Sequence, residues 1–305
     1  MFRLYLAAWQ LLAVVCAFAS SAAGQSTSAG LQSAVTRAMQ DQRGTAVVVD
    51  VASGRILASS HLDIAARRVA APGSSLKPFT LLALLQSGKV NGQTALVCKR
   101  TLSVDGRNLN CSHPVTTERL DPAQALAYSC NSYFTMVALR LPPAGLQNSF
   151  LQDGFSLATG LAPGEAVGFV KIASSTDELQ LQAIGEWGIA VTPLEMVKGY
   201  RALALLRGTD DPKLKPLFDG LQQSVSYGMG RLAQPASSMK AAGKTGTAPA
   251  EGGSWTHAWF GGFAPASDPK IAVVVFLEKG HGGSEAAGVA RNIFAAYAMS
   301  TGEKQ

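Results

Sequence analysis

The sequence predicts a mixed α/β (α+β) fold, in which an antiparallel sheet of about five strands is built from both ends of the chain and is flanked by helices. Runs of β-branched and aromatic residues predict two strands near the start, at 45–51 and 55–59. Similar runs predict three strands near the end, at 242–248, 257–263 and 271–277. Because helical patterns fill most of the middle, we expect a mainly helical subdomain inserted into one sheet.

Local signals set the order of the elements. Leu31, Val35 and Met39 recur at helical spacing and predict a first helix, and Ala52-Ser53-Gly54 turns the first strand into the second. Asp121 followed by Pro122 is typical of an N-cap with proline at the first helical position. The predicted helices are Ala29–Gln42, Ser74–Leu85, Asp121–Tyr128 and Ser284–Met299, with further helices between about 131 and 206.

Composition excludes several classes of protein. The chain has 305 residues, of which 47% are apolar and 15% charged, so it is not a disordered polar chain. The net charge is +6, but the basic residues are scattered and form no stripe that would bind nucleic acid. We therefore expect a protein with a large core and no nucleic-acid partner.

The N-terminus predicts export. Arg3 precedes an apolar stretch over 4–19, and small residues follow at Ala22 and Gly24. This pattern is typical of a secretory signal peptide of residues 1–24, cleaved near Gly24, which leaves one mature domain over 25–305. An uncleaved membrane anchor formed by residues 4–19 is the alternative. We expect a protein that is soluble in the periplasm or another extracytoplasmic space after cleavage.

Three cysteines remain in the mature chain. Cys98 and Cys111 flank a segment with the turn pair Asp105-Gly106, so a hairpin would bring them together and we predict a Cys98–Cys111 disulfide. Cys130 would then be an odd thiol; the alternative is three reduced, buried thiols. No Cys-x-x-Cys or His-x-x-x-His pair occurs, so the sequence predicts no metal site and no cofactor.

One serine has the context of a catalytic nucleophile. In Ser74-Ser75-Leu76-Lys77, the lysine lies one helical turn after the serine and on the same face, where a base is needed. Ser237 and Ser267 begin the same pattern in turn-like surroundings. Pro72-Gly73 and the apolar helix after it favour Ser74, because a helix start has unpaired N–H groups that can face an oxyanion.

Two further elements complete a known set. Ser129-Cys130-Asn131 follows the predicted Asp121 helix, and Lys244-Thr245-Gly246-Thr247 lies on a predicted strand. Taken in order as SxxK, SxN and KTG, they resemble the active-site motifs of the transpeptidase domain of penicillin-binding proteins and of serine β-lactamases. The resemblance covers roughly residues 45–299. It departs from the family at Glu186-Trp187-Gly188, where Gln-Gly is more usual.

The resemblance implies roles for the motif residues. Ser74 would attack an acyl carbon, Lys77 would accept its proton, and Ser129 would relay a proton to the leaving amine. A neutral Lys77 requires desolvation or a nearby cation such as Lys244. Substrate-binding residues implied by the family are Asn131 for a peptide amide, Lys244 and Thr245 for a carboxylate, Gly246 for close approach of a substrate strand, and Thr247 with Ser74 for an oxyanion hole.

The resemblance also implies the function. We expect an exported penicillin-binding D,D-transpeptidase or carboxypeptidase that acts on peptidoglycan stem peptides, with β-lactams as inhibitors or substrates. A β-lactamase and a non-catalytic binding or sensing module are the alternatives. The chain has no Glu-x-x-Leu-Asn segment of the class A β-lactamase type, which favours the first hypothesis. A cell-wall protein is a further expected partner, because the chain lacks the domain that usually precedes this one.

Overall fold

The computed structural model describes residues 28–114 and 119–302. The signal peptide of residues 1–24, its cleavage near Gly24 and the alternative anchor at 4–19 lie outside the described residues and stay predictions. Within the described segments, every helix is too short or too polar to cross a membrane.

The order of the elements follows the predicted grouping: two strands lie near the start, three near the end, and helices with short strands lie between them. The strands are β1 (Gly44–Asp50), β2 (Ile56–Ser60), β3 (Leu96–Val97), β4 (Ser103–Val104), β5 (Arg107–Asn108), β6 (Arg119–Leu120), β7 (Phe169–Val170), β8 (Ile189–Ala190), β9 (Ala242–Pro249), β10 (Thr256–Ala264) and β11 (Ile271–Leu277). The helices are α1 (28–38), α2 (Leu62–Arg67), α3 (Lys77–Gln86), α4 (Pro122–Ala127), α5 (Asn131–Ala138), α6 (Gly145–Gln152), α7 (Thr176–Ala183), α8 (Pro193–Arg207), α9 (Lys215–Ser226) and α10 (Ala287–Ser300).

The main sheet confirms the prediction from both chain ends. Its five strands lie in the order β2-β1-β11-β10-β9, and each neighbouring pair is antiparallel. Strand β1 from the start of the chain therefore pairs with β11 from its end, while β9 forms one edge. The fold is the predicted antiparallel sheet with flanking helices and a mainly helical insertion.

The sheet has a separate core on each face. Along β11, Ala272, Val274 and Phe276 face the core that contains α3, α5 and α8, whereas Val273 and Val275 face the core that contains α1 and α10. This alternation follows from the two-residue period of a strand. All seven residues of β11 are buried, so an uninterrupted apolar run here marks a strand that is covered on both sides.

Helix capping in the inserted region follows the sequence. The Asp121 side chain accepts from the Gln124 backbone N–H, and the Gln124 side chain reaches back to the Asp121 N–H, which completes a capping box. The helix predicted from Ser74 begins differently, because residues Gly73–Leu76 form a 3₁₀ turn and the α-helix proper begins at Lys77. The predicted 102–109 hairpin is present as β4 and β5 around Asp105-Gly106.

Candidate active site

A tight turn presents Ser74 at the start of α3. Gly73 adopts φ +51°, and its N–H donates to the Gly185 carbonyl at 3.1 Å. A Cβ atom on Gly185 would lie 2.2 Å from the Gly73 carbonyl oxygen, so only glycine permits this approach. Ser75 stabilises the same turn, since its hydroxyl donates to the Pro72 carbonyl at 2.7 Å. The turn holds Ser74 half-buried at the front of the helix.

The other two Ser-x-x-Lys sequences have no such context. Residues 237–240 and 267–270 form turns and bends and enter no helix. The Lys270 side chain pairs instead with Asp268 on the surface. Only at Ser74 does the lysine lie on a helix that runs back into the core.

Lys77 is the buried cation of the site. Its Nζ donates to the Ser129 carbonyl at 2.8 Å, to the Ser129 hydroxyl at 3.2 Å and to Asn131 Oδ1 at 2.5 Å. Burial in the protein interior lowers the pKa of Lys77 to about 8, although the negative charge of neighbouring groups, among them Glu186, opposes the shift. At pH 7, about one unit below this pKa, roughly a tenth of the amine is neutral, and the neutral form is the one that can accept a proton.

The SxN element joins α4 to α5. Ser129 adopts φ +55°, a left-handed conformation that non-glycine residues seldom occupy, and the Cys130 sulfur caps α5 by accepting from the Tyr133 N–H. Asn131 opens α5 and uses both ends of its amide, since its Nδ2 donates to the Leu109 carbonyl at 3.0 Å. The strained turn thus directs Ser129 and Asn131 towards Lys77.

Strand β9 divides its residues between two sides. Thr245 and Thr247 line the cavity beside Ser74. Lys244 is fully buried, and its Nζ donates to the Thr245 carbonyl at 2.9 Å. Burial, reinforced by repulsion from Lys77, lowers the pKa of Lys244 well below its ordinary value. At β9 the two threonines line the cavity, while the Lys244 side chain is covered, and its contact with a substrate carboxylate stays a prediction.

Gly246 allows strand β9 to pack closely against the turn that contains Ser74. A Cβ atom there would lie 2.5 Å from the Pro72 carbonyl oxygen and 2.9 Å from the Ser75 Cβ. The sequence analysis assigned this glycine to the approach of a substrate strand. That assignment stays a prediction, and the structure adds a second reason for glycine, because a Cβ atom at this position would collide with the Ser74 turn.

A cavity of about 150 Å³ brings the three motifs together. Five of the motif residues, Ser74, Ser129, Asn131, Thr245 and Thr247, line it. Further wall residues that no sequence motif marked are Asn110, Cys111, Ser112, Met229 and Gly283. The first four lie in loops and turns, and Gly283 lies in a π-helical turn over Gly282–Ala286.

Glu186 is a half-buried acid that interacts electrostatically with Lys77. Burial raises its pKa, while the positive charges of Arg107 and Lys77 oppose that rise. Arg107, which lies in the 102–109 hairpin, donates to the Glu186 carbonyl at 2.9 Å. Glu186, at the position where the sequence departs from the usual family pattern, therefore adds a titratable group that interacts electrostatically with Lys77.

The structure contradicts the predicted Cys98–Cys111 disulfide. All three described cysteines are free thiols. The hairpin does bring Cys98 and Cys111 close, but the Cys111 sulfur lies 3.8 Å from that of Cys130, and the Cys98 sulfur lies 3.5 Å from His113 Nε2. The two cysteines are therefore not a pair but part of a larger group, since the fold brings two more residues to them.

The fold and the cavity together define a class of protein, an α+β domain in which SxxK, SxN and KTG elements meet at one cavity. A family model, the penicillin binding protein transpeptidase domain, matches residues 44–296. The chain belongs to this family.

Curated relatives support the same family at low identity. A probable peptidoglycan D,D-transpeptidase, PbpC of Pseudomonas aeruginosa, is 26% identical over 68% of this chain and 41% of the relative. The peptidoglycan D,D-transpeptidase MrdA of Acinetobacter baumannii is 25% identical over 87% of this chain and 52% of the relative. The chain therefore spans about half the length of these relatives.

Solved structures share the fold. The penicillin-binding protein PBP2 of Pseudomonas aeruginosa, solved with WCK 5153, matches 91% of this chain and 76% of its own with a TM-score of 0.79 and 22% identity. A peptidoglycan glycosyltransferase from Burkholderia ambifaria matches 92% of this chain and 97% of its own with a TM-score of 0.79 and 22% identity. PBP2 of Helicobacter pylori, solved in complex with MreC, matches 89% of this chain and 63% of its own, with a TM-score of 0.77 and 20% identity.

Proposed function

We propose that the chain is an exported D,D-transpeptidase or D,D-carboxypeptidase that forms an acyl-enzyme at Ser74 with peptidoglycan stem peptides and with β-lactams. The single observation that supports this most strongly is Lys77. It is fully buried one helical turn from Ser74, its pKa is lowered to about 8 by burial, and it contacts both Ser129 and Asn131. A surface lysine beside a helix-capping serine would not be buried, would not have a lowered pKa and would not make these two contacts.

Acylation follows from these positions. Ser74 Oγ attacks the carbonyl carbon of the scissile amide while its proton moves to the neutral amine of Lys77. Backbone N–H groups at Ser74 and Thr247 stabilise the oxyanion, a device that contributes about 3 to 4 kcal/mol per donor. As the C–N bond breaks, the leaving amine takes a proton from Lys77 through the Ser129 hydroxyl, which lies 3.2 Å from Lys77 Nζ. The products are an ester at Ser74 and a free amine.

The substrate runs beside the edge strand β9. Thr245 and Thr247 offer hydroxyl groups on the cavity wall, where they suit the free carboxylate of a D-Ala-D-Ala terminus or its mimic on a β-lactam. Lys244, whose Nζ donates to the Thr245 carbonyl at 2.9 Å, is the further candidate for binding that carboxylate. The Asn131 amide suits a peptide group of the substrate, although in the absence of substrate it binds Lys77 and Leu109.

The second half of the reaction determines the kind of enzyme. An amine that attacks the ester gives transpeptidation, whereas water gives carboxypeptidation or β-lactam hydrolysis. Glu186 is the carboxyl that favours hydrolysis as a second candidate, because it interacts electrostatically with Lys77 and its pKa is raised by partial burial. Glu165 does not favour it, since its carboxylate is engaged by Thr159 and by the Ala162 N–H within its own loop.

Export and a cell-wall partner complete the proposal. The N-terminal sequence supports secretion, and the wall provides the substrate outside the membrane. The solved complex of a related PBP2 with MreC supports a cell-wall protein as that partner.

Covalent labelling tests the proposal. The purified protein is incubated with a fluorescent penicillin, and the intact mass is followed with time for wild type, Ser74→Ala and the matched control Ser267→Ala. We expect an adduct with wild type and Ser267→Ala and none with Ser74→Ala. A long-lived adduct supports the transpeptidase, and a transient adduct with drug consumption supports the β-lactamase. Labelling that survives in Ser74→Ala overturns the choice of nucleophile.

A further inference from the structure

Four metal-binding side chains meet beside the SxN element. The atoms Cys98 Sγ, Cys111 Sγ, Cys130 Sγ and one ring nitrogen of His113 all lie within 4.8 Å of one another. Cys111, Cys130 and His113 are buried, and Cys98 is half-buried. Twelve, one and sixteen residues separate the four along the chain, so the folded loops bring them together and no local motif announces them.

The distances match a tetrahedral metal site. Zinc binds thiolate at about 2.3 Å and imidazole at about 2.0 Å, so a tetrahedron has S–S edges of about 3.8 Å and S–N edges of about 3.5 Å. The Cys111–Cys130 sulfur distance is 3.8 Å, and the Cys98 Sγ to His113 Nε2 distance is 3.5 Å. The remaining edges, all within 4.8 Å, need to shorten by at most about 1.0 Å between sulfurs and about 1.3 Å between sulfur and nitrogen.

The surroundings orient the ligand atoms. His113 Nδ1 lies 2.8 Å from the Pro114 carbonyl oxygen, which can only accept, so Nδ1 carries the proton and Nε2 presents its lone pair to the cysteines. Arg100 approaches Nδ1 only at 3.5 Å and donates to the His113 carbonyl at 2.6 Å. Backbone N–H groups of Ser132 and Tyr133 point at the Cys111 and Cys130 sulfurs at 3.5 and 3.4 Å.

We propose that Cys98, Cys111, His113 and Cys130 bind one zinc ion in a structural Cys₃His site. Soft thiolates with one imidazole suit zinc, and four protein ligands leave no open position for catalysis. Binding releases the thiol protons to solvent, keeps His113 neutral, and transfers no electrons. The complex of three thiolates with Zn²⁺ carries one net negative charge.

The proposed ion would link two segments that form walls of the cavity, the SxN turn and the 98–113 segment. Cys130 lies between Ser129 and Asn131, and Cys111 is a wall residue beside Ser112. Zinc would therefore fix the SxN turn to the 98–113 segment, which contains β4 and β5. The inference does not rest on the proposed function, because metal content is measured without any acyl transfer.

Metal analysis of the purified full-length chain tests the site. Zinc per chain is measured by elemental mass spectrometry after dialysis, for wild type, Cys98→Ser, His113→Ala and the control His61→Asn, which alters an exposed histidine. We expect about one zinc per chain in wild type and in His61→Asn, and at least a tenfold loss of affinity in the other two. Native mass spectra should show the matching zinc-bound mass.

Three outcomes would overturn the assignment. They are zinc-free protein that binds none on titration, a different metal in the site, or a disulfide between any two of the three cysteines in non-reducing peptide maps. If the variants do not fold, the site is tested in the wild-type protein by replacing the metal with Co²⁺ and recording the absorption spectrum. Tetrahedral Co²⁺ with thiolate charge-transfer absorption supports the site, and the spectrum of hydrated Co²⁺ contradicts it.

Discussion

A Cβ atom on Gly246 would lie 2.8 Å from the backbone nitrogen of Ser75, so strand β9 and the Ser74 turn are in direct backbone contact. The contact explains how two motifs about 170 residues apart in the chain come to share one cavity wall. It also means that the position of Ser74 depends on the absence of a side chain at Gly246.

Gly246→Ala is expected to slow acylation strongly. The added methyl group pushes the Ser74 turn away from β9, and a displacement of about 1 Å at a reacting group costs on the order of 100-fold in rate. Stopped-flow labelling with a fluorescent penicillin measures the effect. Gly288→Ala is the matched control, because nothing lies within 4 Å of the new atom, and it should leave the rate unchanged. Equal rates in both variants would contradict the packing role of Gly246.

The acylation rate is expected to rise with pH, with an inflection near 8. Burial lowers the pKa of Lys77 to about 8, and only the neutral amine accepts the Ser74 proton, so raising the pH through that value increases the active fraction. Rates of β-lactam labelling between pH 6 and 9.5 measure the profile, with circular dichroism to check folding at each pH. A profile that is flat across this range would remove Lys77 as the base.

Glu186→Gln is expected to move that inflection to lower pH. The negative charge of Glu186 raises the pKa of Lys77, so a neutral amide lowers it further and the neutral amine appears earlier in the titration. Asp219→Asn, which changes an acid on the surface of α9, is the control and should leave the inflection in place. A shift towards higher pH in Glu186→Gln would show that the coupling has the opposite sign.

Glu195→Ala is expected to destabilise the fold by about 3 kcal/mol. The buried carboxylate accepts from the backbone N–H groups of Ser156, Gly168 and Thr192, and its loss leaves these donors unpaired. Urea unfolding followed by circular dichroism measures the change. Glu178→Ala, at an exposed helix start, should give a much smaller loss. Similar losses in both variants would show that burial of Glu195 adds nothing.

Trp259→Phe tests the support of the Ser74 turn from the sheet. Trp259 Nε1 donates to the Ala71 carbonyl at 3.0 Å, and phenylalanine keeps an aromatic ring but is smaller and leaves that carbonyl unpaired, the latter at a cost of about 1 to 3 kcal/mol. We expect lower stability and slower acylation. Trp255→Phe is the control, because Trp255 is 47% exposed. Unchanged labelling and stability in Trp259→Phe would contradict the proposed support.

The sequence alone determined the five strands of the main sheet, the helix start at Asp121 and the motif residues. The two-residue period and the β-branched runs of β1 and β11 are local signals, and so is the Asp121-Pro122 cap, because each depends on neighbours in the chain. The three motifs indicated five residues that line the cavity. Their joint order was informative even though the Ser-x-x-Lys pattern occurs three times.

Only the tertiary structure decided which side chains point where. The sequence placed Lys244 and Gly246 in the site, but only the fold shows that the Lys244 side chain is fully buried and that Gly246 packs against Ser75. It paired Cys98 with Cys111, but the fold brings Cys130 and His113 to the same point. The side of the sheet to which a side chain points, and the meeting of residues from distant segments, depend on how those segments pack together. The local sequence contains no information about these distances.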